Sequence, residues 1–505
     1  MNTSTTNSVE VGAAERQPVW LLVAALIVLG ALAASNQSFW IDEATTAQIA
    51  RQRSLADWWQ AMVNDHGSTE QMPFYMIYVW LWEKFSGTGE WAMRLSNIPW
   101  LLLGMGFFFR RSLFFLFAVG LSSFLWYYLN ELRPYAMQVA VALILAGSLW
   151  RLTEAPRTGG NSGCSERVCV LAFSLALLML AGCSLLGMIW AAAGLGCAVA
   201  VLGFRRVLGL ARQHGAVSIL SAVILIALAG YYLWTMKQGA RASTGKTDLS
   251  NCLFAVYELA GLTGLGPGRL EIRSSPVKAF LPFVIPLVIH ACLAAYVLVS
   301  GVRFIVAKAP ARIWLGVTAC VGATAAFLFA AGVVMHFRVL GRHFAPLAAC
   351  FMLATSLGLH RLWDAGGWRR LCAGLFLVIS LASAVSSRIA PRHAKDDYRE
   401  AVAVAQAALA RGDRVWWCAD GNAAAYYGLV LTDEPVPNGA KQAWLVYNFS
   451  ASASKNQPEP DLVVFSKPDL YDSQGAVQDY LARERYRIWR PLQAFSLWKK
   501  PPEQR

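Results

Sequence analysis

Six stretches of this chain gather carboxylates, arginines and histidines near the ends of apolar runs. Phe39-Trp40-Ile41-Asp42-Glu43 places two adjacent acids directly after the first apolar run. A second stretch holds Asp65, His66 and Glu70 ahead of Pro73, and Arg94 opens the next apolar run. Glu131, Arg133 and Tyr135 crowd a turn at Pro134, Glu258, Arg269 and Arg273 share a later loop, and His336, Arg338, Arg342 and His343 head a late apolar run. An acid pair beside a membrane span is costly unless it faces water, a cation or a substrate. Guanidinium groups bind phosphate through paired donors. A carboxylate within reach of a hydroxyl can take its proton. Together these residue types suit an anionic substrate and a general base.

Each cluster alone has an ordinary explanation. An arginine at a helix end is usually an interfacial anchor, a reading that suits Arg94. Single histidines such as His66 or His336 are more often hydrogen-bonded structure than metal ligands. Glu131 and Arg133 could form a turn ion pair, and the Gly-Pro run before Arg269 a tight turn. The common side of all six clusters favours a site.

That common side follows from the elements that must position the clusters. The 505 residues are 56% hydrophobic and 15% charged, with a mean hydropathy of +0.44. Soluble domains carry more charge, and many apolar runs here reach the roughly 18–20 residues that cross a bilayer. The chain reads as a polytopic α-helical membrane protein of about 11 transmembrane helices with a C-terminal soluble α/β domain. Spans are expected near 19–36, 92–109, 112–129, 134–150, 168–184, 186–203, 216–234, 278–301, 313–334, 343–360 and 371–387. The segment 1–18 is expected to be disordered and cytoplasmic. The membrane domain covers 19–389, with large outer loops at 37–91 and 235–277, and the α/β domain covers 390–505.

The net charge of +14 is read as orientation, and no nucleic-acid partner is expected. With the N-terminus in the cytoplasm, the short connections at Arg110/Arg111, Arg151–Arg167, Arg205/Arg206/Arg212, Arg303/Lys308/Arg312 and Arg361/Arg369/Arg370 all face inward. The positive-inside rule asks for this arrangement. The acid and arginine clusters then face outward, with the C-terminal domain. None of the ten cysteines stands in a metal-binding spacing, and no disulfide framework is evident. After residue 390, alternating apolar and amphipathic stretches predict a helix over 396–412, strands at 413–419 and 461–466, helices at 421–431 and 473–486, and a terminal hairpin over 487–500. No GxGxxG motif marks a nucleotide site.

The order of these motifs resembles the GT-C superfamily of membrane glycosyltransferases. Bacterial aminoarabinose transferases and protein O-mannosyltransferases are the nearest in pattern. The matching residues are Trp40-Ile41-Asp42-Glu43, Met72-Pro73-Phe74-Tyr75, Arg94-Leu95, Glu131-Leu132-Arg133-Pro134-Tyr135 and Arg342-His343-Phe344-Ala345-Pro346. The motifs cover mainly residues 35–140, and the topology match extends to about 387.

The resemblance implies an inverting transfer from a polyprenyl-phosphate sugar to a hydroxyl of a lipid, glycan or protein. The chemistry would take place on the outer face of a bacterial inner membrane. It assigns Asp42 as base, with Glu43 beside it as the second catalytic acid in a supporting role. Arg133, Tyr135, Arg338 and Arg342 would hold the donor phosphate, with His66, Arg94, Glu131, Glu258 and Arg269 in support. The family's polar mid-chain turn is Cys183-Ser184-Leu185-Leu186-Gly187 here. It lacks a metal-binding histidine, so a divalent metal is left open. Rival readings are a lipid-linked glycan polymerase or ligase and, more remotely, a lipid-glycan transporter. The transporter would call for charges deep in the spans and paired broken helices.

Overall fold

A computed structural model of the protein describes residues 17–110, 112–154, 166–238, 246–275, 277–437, 439–446 and 459–501. Most of the expected disordered segment 1–18, Arg111 and the greater part of the Arg151–Arg167 connection lie outside the described residues. The amino-terminal half contains α1 (Val19–Leu32), α2 (Ile41–Ala50), α3 (Leu55–Asn64), α4 (Pro73–Ser86), α5 (Glu90–Arg94), α6 (Ile98–Gly106), α7 (Leu113–Gly120), α8 (Ser123–Leu129) and α9 (Tyr135–Glu154). Next come α10 (Glu166–Cys183), α11 (Leu185–Leu202), α12 (Phe204–Gln213), α13 (Gly215–Lys237), α14 (Leu249–Leu259) and α15 (Arg269–Ser274). The last four of the bundle are α16 (Val284–Lys308), α17 (Ala311–Val334), α18 (Ala345–Asp364) and α19 (Gly367–Ile389).

Eight helices among the described residues are long and apolar enough to cross a membrane: α9, α10, α11, α13, α16, α17, α18 and α19, with α16 and α18 extended by short 3₁₀ turns at their starts. The chain is a multi-pass membrane protein. The last eight expected spans correspond to these helices; the first three expected spans differ. α1 has 14 residues, about 21 Å at 1.5 Å per residue, less than the roughly 30 Å hydrocarbon core. The second is α5, a 3₁₀ turn and α6, with Pro99 in the first turn of α6. The third is split between α7 and α8 at Leu121–Ser122, where the Ser122 hydroxyl caps α8 by accepting from the Leu125 N–H. The Phe/Leu-rich stretches on either side keep the mean hydropathy high across Gly120, Ser122 and Ser123 and hide the break. Non-helical backbone inside a bundle is tolerated where it lines a cavity. Leu121 and Ser122 line one of about 370 Å³.

α9 and α18 form the centre of the bundle, with 67% and 61% of their apolar windows enclosed by protein. α13, α16 and α17 are 11–17% enclosed and apolar all round, as lipid-facing helices are. Where α16 crosses α18, a Cβ on Gly301 would lie 1.9 Å from the Ala354 carbonyl oxygen, and one on Gly358 would lie 2.0 Å from that of Val297. Small residues allow this close backbone approach, which takes the place of a hydrophobic driving force in lipid.

The stretch 37–91 holds three helices. Two of them are α3 and α4. α2 replaces an expected loop, so Asp42 and Glu43 stand on the first turn of a helix. The stretch 235–277 is likewise partly helical, with α14 and α15.

The C-terminal region is a small α/β domain. It comprises α20 (Tyr398–Ala410), β1 (Val415–Cys418), α21 (Gly421–Tyr426), β2 (Leu431–Thr432), β3 (Ala443–Leu445), β4 (Leu462–Ser466), α22 (Pro468–Tyr471), α23 (Ala476–Arg483), β5 (Arg487–Leu492) and β6 (Phe495–Lys499). The sheet order is β2-β3-β1-β4-β6-β5, parallel from β2 to β4, with β5 and β6 as the expected hairpin. β1 and β4 are buried at every position, as central parallel strands must be. The short strands β2, at one edge, and β3 beside it gave too little pattern to be expected.

Candidate active site

Helix α2 separates two neighbouring carboxylates into different surroundings. Its first turn points Glu43 inward and leaves Asp42 about one-quarter exposed.

Glu43 is fully committed. Its Oε1 accepts from Arg94 Nε at 2.9 Å and from the Leu132 N–H at 2.7 Å. Its Oε2 accepts from Arg94 Nη2 at 3.0 Å and from Lys395 Nζ at 2.6 Å, with the Trp40 N–H at 3.4 Å. Arg94 spends its remaining donors on the carbonyls of Ser35, Gln37 and Ser38. Both side chains of this pair are shielded from solvent. Burial alone would raise the Glu43 carboxyl, but Arg94 and Lys395 outweigh it and hold it below the usual carboxylate range. Glu43 and Arg94 are therefore internal struts. Neither has a free atom for substrate.

Asp42 faces a different group. Its Oδ2 lies 3.6 Å from Arg342 Nη1. Arg133 approaches from the turn before α9. Its Nη1 donates to Thr46 Oγ1 at 3.3 Å and lies 3.5 Å from the Asp42 carbonyl oxygen, while Nη2 donates to Ser68 Oγ at 2.7 Å. The Nε of Arg133 and the Nε of Arg342 are both buried without a hydrogen-bond partner. The Arg342 guanidinium carbon lies 5.7 Å from the Tyr135 ring centre and 6.0 Å from that of Trp40. Arg133, Tyr135, Gln138, Ser184, Arg342 and His343 line one cavity of about 50 Å³. Burial opposes the Arg133 charge, but the Asp42 carboxylate and Tyr135 more than restore it.

Glu131, Glu258 and Arg269 form a third group. Arg269 Nη2 donates to Glu258 Oε1 at 2.6 Å, and Nη1 lies 3.9 Å from Glu131 Oε1. The Arg269 guanidinium stacks 4.0 Å from the Tyr127 ring centre. Burial raises the Glu131 carboxyl, against the pull of Lys395 and Arg269. This group abuts the Arg342 segment at Gly341, where a Cβ would come 2.1 Å from Glu258 Oε2.

Two candidates stand apart. Arg338 is exposed. His66 is largely exposed, its Nδ1 3.5 Å from Glu70. Its backbone takes a positive φ of 49°. Among the described residues, no three His, Cys, Asp or Glu side chains are grouped so as to hold a metal ion.

Sequence reasoning missed the part played by the C-terminal domain. Lys395 reaches Glu43 and the Asn130 carbonyl. Tyr427 Oη accepts the Phe39 N–H at 2.7 Å, Asn422 meets Thr45, and α21 packs along α2. Lys467 pairs with Asp396 and lies 5.7 Å from the Trp40 ring centre. Asp420 caps α21 by accepting the Ala423 N–H at 2.7 Å. Burial pushes Asp420 up to about 6, and the charges of Asp42 and Asp65 add to the shift. One signal was present: Arg388, Arg392 and Lys395 follow the last span on its expected outer side, a basic run against the positive-inside rule.

No family model and no curated relative matches the chain. Two solved structures are similar to it along nearly its whole length. ArnT from Cupriavidus metallidurans bound to undecaprenyl phosphate matches at 14% identity and a TM-score of 0.49, covering 95% of this chain and 97% of that one. The apo state of the same protein matches at 16% identity and a TM-score of 0.47, with the same coverage.

Proposed function

We propose that the chain is a membrane glycosyltransferase that moves a sugar from a polyprenyl-phosphate donor to an acceptor hydroxyl, with inversion. One observation carries this reading. Two buried guanidiniums, each with an unpaired Nε, line the same cavity, and one of them lies beside a part-exposed carboxylate. Buried donors without protein partners are completed by water or by a ligand, and two that line one cavity beside a carboxylate suit an anionic ligand. A phosphate offers oxygens in the geometry that guanidinium groups match.

Asp42 accepts the proton of the acceptor hydroxyl as that oxygen attacks the anomeric carbon. The bond from the anomeric carbon to the phosphate oxygen breaks, and its electron pair leaves with the phosphate. Arg133 and Arg342 stabilise the charge that develops there, with the Tyr135 hydroxyl as a further donor. The leaving phosphate is weakly basic, so the site needs no general acid, unlike a glycosidase. The positive-inside pattern supports a site on the outer face of a bacterial inner membrane. The acceptor stays open between lipid, glycan and protein.

The test is a panel of polyprenyl-phosphate sugars offered to purified protein, comparing wild type with Asp42→Asn. The reading expects sugar release or transfer by the wild type alone. Equal activity in the variant overturns the role of Asp42.

A further inference from the structure

The C-terminal domain meets the bundle where the candidate base and phosphate-binding groups are assembled. Asp42 stands on α2, and Arg133 stands in the turn 130–133 between α8 and α9. The chain links these two elements only through some eighty residues, so something local must fix their separation. Lys395 sits between them. Its ammonium donates to Glu43 Oε2, one residue from Asp42, at 2.6 Å, and to the Asn130 carbonyl, three residues from Arg133. The side chain is 6% exposed, so little water competes for these bonds.

We propose that Lys395 is a positioning residue: its ammonium fastens α2 to the turn that carries Arg133, so that docking of the C-terminal domain sets the spacing of Asp42 and Arg133. The significance for catalysis rests on the function proposed above; the structural claim stands without it.

Three further contacts make docking of the domain and placement of α2 one event. Tyr427 Oη accepts the Phe39 N–H just ahead of α2 and bonds Ser38 Oγ at 3.2 Å. Arg51, at the far end of α2, donates to the Tyr426 carbonyl at 2.9 Å and stacks on the Tyr426 ring at 3.8 Å. Arg399 pairs with Glu90, one turn before Arg94. These contacts hold both ends of α2 and the helix that bears Arg94. Of these domain contacts only that of Lys395 reaches the arginine turn, where it adds to the direct bonds of α2, Glu43 Oε1 with the Leu132 N–H at 2.7 Å and Thr46 Oγ1 with Arg133 Nη1 at 3.3 Å. The charged groups around it are Glu43 from α2, Arg94 from α5 and Glu131 from the turn. Without its ammonium, Glu43 keeps Arg94 and the Leu132 N–H, but the Asn130 carbonyl loses the bond that ties it to the domain. The site is then complete in composition and keeps its direct bonds from Glu43 to Leu132 and from Arg133 to Thr46, but it has lost the tie by which the domain holds α2 and the turn at a fixed spacing. A displacement of about 1 Å can cost about a hundredfold in rate.

The experiment uses the full chain in detergent or nanodiscs, with amide hydrogen exchange as the primary readout and turnover as the second. Lys395→Met keeps the length and removes the charge. Lys395→Arg keeps the charge. Lys500→Met removes another lysine ion pair of the domain, Lys500–Glu459, away from the site contacts. The expected result is exchange at least tenfold faster at residues 40–46 and 130–133 in Lys395→Met, with kcat down 30- to 300-fold and donor KM within about threefold. Lys395→Arg should recover most of the protection, and Lys500→Met should leave both segments unchanged. Wild-type exchange at both segments in folded Lys395→Met overturns the proposal. If Lys395→Met does not yield folded protein, Lys395→Arg decides: wild-type protection supports the proposal, and fast exchange at both segments overturns it. A wild type inactive on every polyprenyl-phosphate sugar defeats the proposed function, while the exchange result still judges Lys395.

Discussion

Asp42 and Glu43 are neighbours in sequence and opposites in circumstance. Both oxygens of Glu43 are filled, by a guanidinium, an ammonium and backbone N–H groups, and water does not reach it. Asp42 is part-exposed beside Arg342, in a region where two buried guanidinium Nε atoms have no partner. A satisfied buried charge holds structure together, because removing a partner strands the other. An unsatisfied one marks the place where a ligand completes the bonding. The same α-helical turn therefore supplies a strut and a candidate reactive group.

Substitutions can break or sharpen that contrast. Asp42→Asn is expected to lower kcat by about 10² to 10⁴, the range for loss of a general base, with thermal unfolding little changed. Glu43→Gln should do the reverse. It leaves Arg94 and Lys395 buried without their counter-charge, at a cost of about 3–5 kcal/mol in stability, read as a large fall in the unfolding midpoint. If Glu43→Gln proves as stable as wild type, the strut assignment fails. Arg342→Met should spare stability and raise donor KM about 10- to 100-fold, because its Nε is unpaired in the protein alone and hydrogen bonds to a charged group are worth about 1.5–3 kcal/mol.

The smallest effect concerns Asp420. Its folded-state value near 6 lies above that of an unfolded aspartate, so the carboxyl stabilises the fold in its protonated form. That contribution is full below about pH 4 and is lost as the pH rises through about 6. Asp420→Asn keeps the cap on α21, since asparagine caps as well as aspartate. The variant should be about 1–3 kcal/mol more stable than wild type at pH 7.5, and the gap should close below pH 4, as denaturant titrations at the two pH values would show.

The legible parts of this molecule are those written in long periodic stretches. The eight long spans and most of the C-terminal elements follow from apolar runs and alternation. The break at Leu121–Ser122 was not legible, because Gly120, Ser122 and Ser123 are too few to lower the hydropathy of the apolar stretches around them, and nothing local marks the Ser122 hydroxyl as the cap that starts α8. The helix α2 was missed for a related reason: Ile-Asp-Glu-Ala-Thr-Thr-Ala is short, polar and β-branched, and its helical form rests on packing against α4 and α21. Within the site, residue types identified Asp42, Arg133, Tyr135 and Arg342 as candidates, and the structure gathers all four. Proximity along the chain misled for Arg338, four residues from Arg342 yet exposed. Lys395 was missed because its partners are 352 and 265 residues away, a distance that no local pattern encodes.

That separation also has a consequence in time. A ribosome adding about 5–20 residues per second needs roughly 20–70 seconds to travel the 352 residues from Glu43 to Lys395. Throughout that interval Glu43 is already made and Lys395 is not. The nascent chain thus holds Asp42 and Glu43 without the ammonium that ties α2 to the arginine turn, and that tie closes only after the last span has been synthesised.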